Sequence, residues 1–454
     1  CTRLGSWLGT KLPFDEKWIV EPISDSTLYP VYYIVSKYVN DGTIKSEQLN
    51  ERFFDYVFLA KGDIKEVSKS TKLEESLLKR IKDDFEYWYP LDINLGGKEH
   101  QTVHFPVFLM NHVAVLHEKH WPKGIFVNWW ITGKGSKISK SKGGAEPIGD
   151  IISKYGVDSL RLYYSHVGNP HTDIVWDPDL VLNYKTILSK VSTQCSELLS
   201  LKGTNRSRID DWLESKLNDT IRKCSDLMEK FEFREVVNLI YFEMQDSIRW
   251  YIRRKGNNKD TARKYVNAWA RLMCPLTPFT AEEIWCLSEK GLVSASSWPN
   301  VAEENINLKI IASESMVAKC VEDVREVLRL AKIEKPSKIT LFVAENWKHE
   351  AMSILKKELA VTRDVGVLIK SLMKSPELAE RGKDASNMAL SVMKDPSKLP
   401  LILIGKEEEF ATLSDASSLF LEEFETGVEV VLAENSKENK ARQAMPGKPA
   451  ILVN

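Results

Sequence analysis

The residues best suited to chemistry lie between Gly133 and Gly144, in the string GKGSKISKSKGG. Lys137 and Lys140 stand three apart, with Ser139 and Ser141 among them and glycines on both flanks. Compact ammonium groups on flexible stems can offset phosphate charge, and glycine lets a backbone approach closely. Read alone, the string fits a solvated polar loop as well as it fits a clamp closing over phosphates. A second group is Gly96-Gly97-Lys98-Glu99-His100, followed by His104 (GGKEHQTVH). A glycine next to a carboxylate is what a nucleotide ribose requires, because the carboxylate accepts from both hydroxyls and the glycine leaves room. Composition alone fits equally a glycine turn carrying surface His and Glu. A third group is Arg249, Arg253 and Arg254, with Trp250 and Tyr251 between them. Basic and aromatic residues together can hold nucleic acid, and they also suit a solvated helix face with two packed rings.

These groups need elements to position them. Val103–Leu116 (VHFPVFLMNHVAVL) and Gly124–Thr132 (GIFVNWWIT) read as buried parts of an α/β layer, the second as a strand. Asp150–His166 has helical spacing on both sides of Gly156, which predicts two helices meeting at a turn. Long amphipathic helices with few glycines follow: Asp211–Lys230, Phe233–Arg254, Thr261–Met273 and, after Pro275 and Pro278, Ala281–Lys290. Beyond a polar linker at Pro299–Asn307, Ser313–Ala331 reads as a helix, and Lys338–Ala344, Val428–Leu432 and Ala450–Val453 read as strands. The expected fold class is therefore multi-domain α/β plus all-α. Residues 1–180 are expected to form an α/β domain, 181–305 a helical bundle and 306–454 a small α/β domain.

Composition narrows the classes. At 43% apolar and 28% charged residues, the chain is an ordinary globular one of two to four domains. No apolar stretch approaches the roughly 18 residues of a membrane span. Of the six cysteines (Cys1, Cys195, Cys224, Cys274, Cys286 and Cys320), none forms a C-x-x-C pair, so no zinc knuckle is expected and reduced thiols in a cytosol fit best. A net charge of −1 means that any nucleic-acid contact must come from local basic patches. A start at Cys1 without Met is expected of a cut, processed or partial chain.

The KISKS string resembles the KMSKS motif of class I aminoacyl-tRNA synthetases, with Ile138 in place of Met. The order of buried strand, KISKS, helices and bundle is also the order of that family. The resemblance implies a Rossmann-type catalytic domain and a helical anticodon-binding bundle. It assigns Lys137, Ser139 and Lys140 to catalysis, with the lysines stabilising the pyrophosphate that leaves ATP. GGKEH and His104 are similar to the class I segment that holds ATP. By that resemblance Gly97 and Glu99 serve the ribose, His104 the nucleotide, and His100 borders the amino-acid pocket. Leu8–Tyr33 resembles the segment after the editing insertion of leucyl enzymes, which places Ile23 and Ser26 near a leucine side chain. Ala270–Trp285 is similar to the bundle's closing helices, with Leu272 and Trp285 as core.

The ending KARQAMPGKPAI (Lys440–Ile451) resembles the C-terminus of archaeal and eukaryotic leucyl-tRNA synthetases. It argues for leucine over the valine and isoleucine enzymes and implies a C-terminal domain that contacts tRNA. Lys440, Arg442 and Lys448 join Arg249, Arg253 and Arg254 as tRNA candidates. The partners implied are tRNA-Leu, leucine, ATP with Mg²⁺, and an N-terminal half bearing the HIGH motif, in the cytoplasm and without a membrane. No H-x-G-H string occurs; His117–His120 (HEKH) has the histidine spacing and lacks the glycine. The chain alone is thus expected to be catalytically incomplete. The alternative is a non-catalytic tRNA-binding paralogue.

Overall fold

A computed structural model describes residues 2–4, 10–133, 136–137, 147–168 and 172–454; at 2–4, 25 and 136–137 the backbone alone is described. The chain divides into two compact units, residues 1–147 with 167–178, and residues 148–166 with 179–454.

The first unit holds a helical subdomain and small sheets. Helices Tyr29–Asn40, Glu51–Leu59, Ile64–Thr71 and Glu75–Trp88 close around Val35, Phe53, Leu78, Ile81 and Phe85. Asn50 and Asp63 begin two of these helices by accepting backbone N–H groups with their side chains, supplying bonds the first turn lacks. Strand Asn94–Gly97 pairs parallel with Ile125–Asn128, in register from Asn94 opposite Ile125 to Gly97 opposite Asn128.

Gly124–Thr132, expected as one strand, is two. Ile131–Gly133 leaves the first ladder and pairs parallel with Ile174–Val175 and antiparallel with Ser136–Lys137. The break falls on the tryptophans between them. The Lys98 ammonium lies 3.6 Å from the centre of the Trp129 ring, and the Trp130 N–H donates to Asp173 Oδ1 at 3.2 Å. Val103–Leu116 is the helix His104–Val115. Phe105, Phe108 and His112 are buried on one face, while Leu109, Met110 and Val113 remain exposed.

The second unit begins with the two helices predicted around Gly156, Ile148–Tyr155 and Val157–Val167. Arg161 ties them to the bundle through the carbonyls of Leu276 (2.9 Å) and Pro275 (2.8 Å). The Asp158 carboxylate receives the Thr280 N–H at 2.6 Å, at the start of helix Pro278–Trp285. The bundle helices are Pro178–Leu199, Arg208–Glu229, Phe233–Arg253 and Lys259–Met273, with Trp269, Tyr241, Tyr251 and Tyr265 fully buried. Phe233–Arg253 is interrupted at Leu239–Glu243 by a π-helical turn, a local change of pitch that three-and-four spacing does not signal.

Helix Leu308–Ala331 then leads to a three-stranded sheet. Its central strand Ile339–Val343 is buried at every position, as a strand covered on both faces must be. Val428–Leu432 pairs parallel with it and Ala450–Val453 antiparallel. A separate helical cluster, Asn346–Lys394, packs around Trp347, Met352, Leu368 and Leu372.

Among the described residues no helix is long and apolar enough to cross a membrane, and no group of three or more His, Cys, Asp or Glu side chains is arranged to hold a metal ion.

Candidate functional site

The GGKEH turn joins the strand Asn94–Gly97 to the helix that starts at His104. After Gly97 the chain makes one 3-10 turn, Lys98–Gln101. The Gly97 N–H donates to His100 Nδ1 at 3.0 Å, so this ring nitrogen is the acceptor that closes the turn. A side chain at Gly96 would meet the Phe105 ring at 2.6 Å, and one at Gly97 would meet the Glu99 carboxylate at 2.6 Å. Close approach to the buried Phe105 ring thus requires glycine at position 96, whereas the exposed Glu99 carboxylate can swing aside at position 97. Glu99 folds back over the backbone of Gly97 with its carboxylate exposed. His100 and His104 stand edge to face with ring centres 5.6 Å apart. Burial, then the neighbouring His100, holds His104 below the ordinary histidine range, which favours a neutral ring that can donate and accept.

The helix His104–Val115 links this turn to the first candidate segment. Two turns beyond His104, the half-buried Asn111 donates through Nδ2 to Thr27 Oγ1 (2.7 Å) and Ser24 Oγ (3.2 Å). These bonds seat the short helix Pro22–Asp25 and its continuation through Thr27. Ile23 is half-buried there, and Ser26 is exposed with its hydroxyl donating to Ile23 O at 2.8 Å. A rise of about 1.5 Å per residue separates His104 and Asn111 by roughly 10 Å along the axis. The structure therefore brings Gly97, Glu99, His100, His104, Ile23 and Ser26 onto one framework in the first unit. Asn111 and Phe105 do this positioning, and neither was singled out from sequence. The Gly-Gly pair ahead of Phe105 was the available signal, since such a pair marks close approach.

Of the KISKS residues, Lys137 is the second residue of strand Ser136–Lys137, paired with Thr132, and its side chain lies outside the described residues, as do Ser139 and Lys140. The HEKH histidines have structural partners. His117 Nε2 bonds the Leu59 carbonyl at 2.9 Å, and the buried His120 pairs through Nε2 with Glu86 at 3.0 Å.

The three arginines of the bundle differ sharply. Arg249 is exposed beside Asp246, and Arg253 is half-buried on Glu423. Arg254 is 2% exposed and holds Glu314 (3.0 Å) and Asp415 (2.7 Å). Its guanidinium is spent inside the protein. Both intervening rings are tied down as well, Trp250 Nε1–H on Glu314 at 2.9 Å and Tyr251 Oη–H on Asp210 at 2.6 Å. In the C-terminal stretch Arg442 and Lys448 are exposed and Lys440 half-buried.

The family model described as "tRNA synthetases class I (M)" matches residues 83–200, which include the GGKEH turn, and "Anticodon-binding domain of tRNA ligase" matches residues 210–341. The leucine–tRNA ligase of Archaeoglobus fulgidus is 34% identical over 447 residues, 98% of this chain and 46% of that protein. Those of Methanocaldococcus jannaschii and Pyrococcus furiosus are 36% and 35% identical, again over 98% of this chain and 46% and 47% of their own lengths. The chain belongs to the leucyl-tRNA synthetase family. It corresponds to the C-terminal half of these synthetases and spans about half the length of the curated relatives it matches. A solved ternary complex of the Agrobacterium radiobacter K84 LeuRS with tRNA and LeuAMS matches 75% of this chain and 37% of that one, at 17% identity and a TM-score of 0.47.

Proposed function

We propose that the chain supplies a leucyl-tRNA synthetase with its nucleotide turn, its phosphate-closing loop and its tRNA-binding C-terminal part. The observation that carries this is the GGKEH turn, joined through one helix to the Ile23–Ser26 segment, within a chain whose archaeal leucine–tRNA ligase relatives match it along 98% of its length. In this reading Glu99 accepts from the ATP ribose over Gly97. The His104 ring contacts the nucleotide, and Ile23, Ser26 and His100 border the leucine side chain.

Lys137 and Lys140, with Ser139 between them, stabilise the charge that develops on pyrophosphate as leucine is joined to AMP. Such stabilisation of a transition state by fixed charge is the largest kind of catalytic contribution. Mg²⁺ accompanies ATP as part of the substrate complex. The leucyl group then passes to the terminal ribose of tRNA-Leu. Arg249, Arg253, Lys440, Arg442 and Lys448 hold the tRNA by its phosphates, which fixes position and not sequence. A HIGH-bearing N-terminal half completes the site, residues 1–180, 181–305 and 306–454 act as the catalytic, bundle and C-terminal parts, and the reaction belongs to the cytoplasm.

The test is leucine-dependent exchange of pyrophosphate into ATP, with this chain alone and mixed with a leucyl-enzyme N-terminal half. Activity only in the mixture, abolished by Lys140→Ala, is the expected result. Absence of exchange in both, with tRNA binding retained, would replace this reading with a non-catalytic tRNA-binding paralogue.

A further inference from the structure

Two ionisable side chains are buried behind the C-terminal stretch, and neither belongs to the catalytic frame. Lys348, on helix Asn346–Leu359, is 5% exposed, and its ammonium donates to the carbonyls of Arg442 (2.6 Å) and Ala444 (2.7 Å). Glu409, on helix Lys406–Asp415, is fully buried, and its Oε2 accepts the Gly447 N–H at 3.0 Å. Between these two anchors the chain makes a tight turn. Met445 and Lys448 exchange backbone hydrogen bonds of 3.0 and 2.8 Å, and Gly447 has φ +74°. Pro446 followed by a glycine at positive φ is the signature of a type II turn.

The inward face of the same stretch is apolar: Ala441 and Ala444 are buried with Phe342 and Ala450. Backbone carbonyls and methyl groups therefore face the protein, while Arg442 and Lys448 extend into solvent. Lys440 and Lys448 also line a cleft of about 800 Å³, together with Lys319 and Lys398 and with Asp323 and Asp395.

Burying an ionisable group is costly unless it is paired or hydrogen-bonded, and here each group makes bonds that an apolar side chain cannot. A methionine at 348 would fill the space and leave two carbonyls without a donor; a leucine at 409 would leave the Gly447 N–H without an acceptor. We propose that Lys348 and Glu409 form a two-point clamp that presets residues 439–449 for RNA, acting as positioning residues for Lys440, Arg442 and Lys448. This rests on the reading above that those three side chains meet tRNA phosphates. A stretch ordered beforehand loses less conformational freedom on binding, and this appears as affinity without any added contact.

Burial lowers the lysine and raises the carboxyl, as expected for groups held away from water. Three elements face Glu409. His349 brings its Nε2 to 3.7 Å, Gly447 donates its amide, and helix Leu308–Ala331 presents Cys320, whose thiol is itself pushed up by burial, then by Asp323 and by this carboxyl.

The experiment uses the whole chain and a tRNA-Leu transcript. Amide exchange across residues 439–449 is measured without RNA, and Kd with it. Lys348→Met and Glu409→Leu should speed exchange in that stretch and weaken binding by about tenfold. Glu409→Gln, which keeps an acceptor for Gly447, should leave both near wild type. A Lys440→Ala/Arg442→Ala/Lys448→Ala triple variant should weaken binding and flatten its salt dependence, since each lost phosphate contact lowers the slope by about 0.9. If the triple variant binds less well while Lys348→Met and Glu409→Leu bind normally, the clamp is refuted and the tRNA reading stands. If the triple variant binds normally, the tRNA reading fails and the clamp with it. Should either clamp variant not fold, the wild-type chain still decides: a slowly exchanging Gly447 amide supports the clamp, and a freely exchanging one overturns it.

Discussion

Replacing Glu409 by Gln gives a stability change whose sign and size follow from the site. Burial pushes the Glu409 carboxyl from 4.5 up to about 7, with the Gly447 N–H as the opposing influence. A folded-state value above the unfolded one means that the native protein binds the extra proton. The stability contributed is full below about pH 4.5 and is lost as pH rises through about 7. The shift of 7 − 4.5 = 2.5 units corresponds to roughly 3 kcal/mol in all, of which about 2 kcal/mol disappears between about pH 5.5 and pH 8.5.

His349 acts in the opposite direction. Burial holds it below its ordinary 6.5, so its contribution is lost as pH falls. The wild-type profile therefore contains these two opposed slopes together with those of the other histidines lowered by burial, His104, His112 and His166, whereas Glu409→Gln removes the carboxyl's slope and keeps the rest. Subtracting the two urea-unfolding profiles isolates the carboxyl. The expected difference is a relative gain of about 2 kcal/mol for Glu409→Gln at the alkaline end compared with the acid end. Parallel profiles for the two proteins would mean that Glu409 does not take up a proton in this range, and the argument from burial would be wrong.

Four further outcomes are expected. Arg254→Ala leaves Glu314, which is 1% exposed, with the Trp250 N–H but no cationic partner and should destabilise the second unit by about 3–5 kcal/mol; adding Glu314→Gln should recover part of the loss in urea unfolding. Gly96→Ala drives a methyl into the Phe105 ring, 2.6 Å away, and should cost about 1–3 kcal/mol by the same measurement. Asn111→Ala removes the bonds to Ser24 and Thr27, each worth about 1 kcal/mol. In pyrophosphate exchange with the N-terminal half it should raise the leucine KM several-fold and leave the ATP KM near wild type. Lys448→Ala should weaken tRNA binding uniformly across sequences and reduce the salt slope by about 0.9, whereas Arg254→Lys, being internal, should leave the slope unchanged.

Much of the scaffold was legible because apolar spacing reports burial directly. The helices Arg208–Glu229 and Leu308–Ala331, the two helices around Gly156, and the strands Ile339–Val343, Val428–Leu432 and Ala450–Val453 all follow that spacing. The break between Ile125–Asn128 and Ile131–Gly133 was hidden. Two adjacent tryptophans prolong an apolar run, and only the partners Lys98 and Asp173, distant in sequence, show that the ladder stops there. Arg249, Arg253 and Arg254 were indistinguishable as a string. Their separate fates depend on Asp246, Glu423, Glu314 and Asp415, most of them far along the chain. The GGKEH turn was visible as a pattern, while Asn111, which ties the helix after it to Ser24 and Thr27, looked like any polar residue in an apolar run. Lys348 and Glu409 left no trace in the sequence, because a buried charge is spelled with the same letter as a surface one.

The central strand Ile339–Val343 also sets a time order for folding. Its parallel neighbour begins about 90 residues later, at Val428, and its antiparallel neighbour later still, at Ala450. A newly made ITLFV segment thus has neither edge partner while the intervening helices are being synthesised. It is short, apolar, rich in β-branched residues and without charge, the composition that pairs readily with other chains. Closing so long a loop is also slow. The interval before Val428 and Ala450 arrive is when this chain most needs a chaperone, and lowering the temperature or the rate of synthesis should raise its soluble yield.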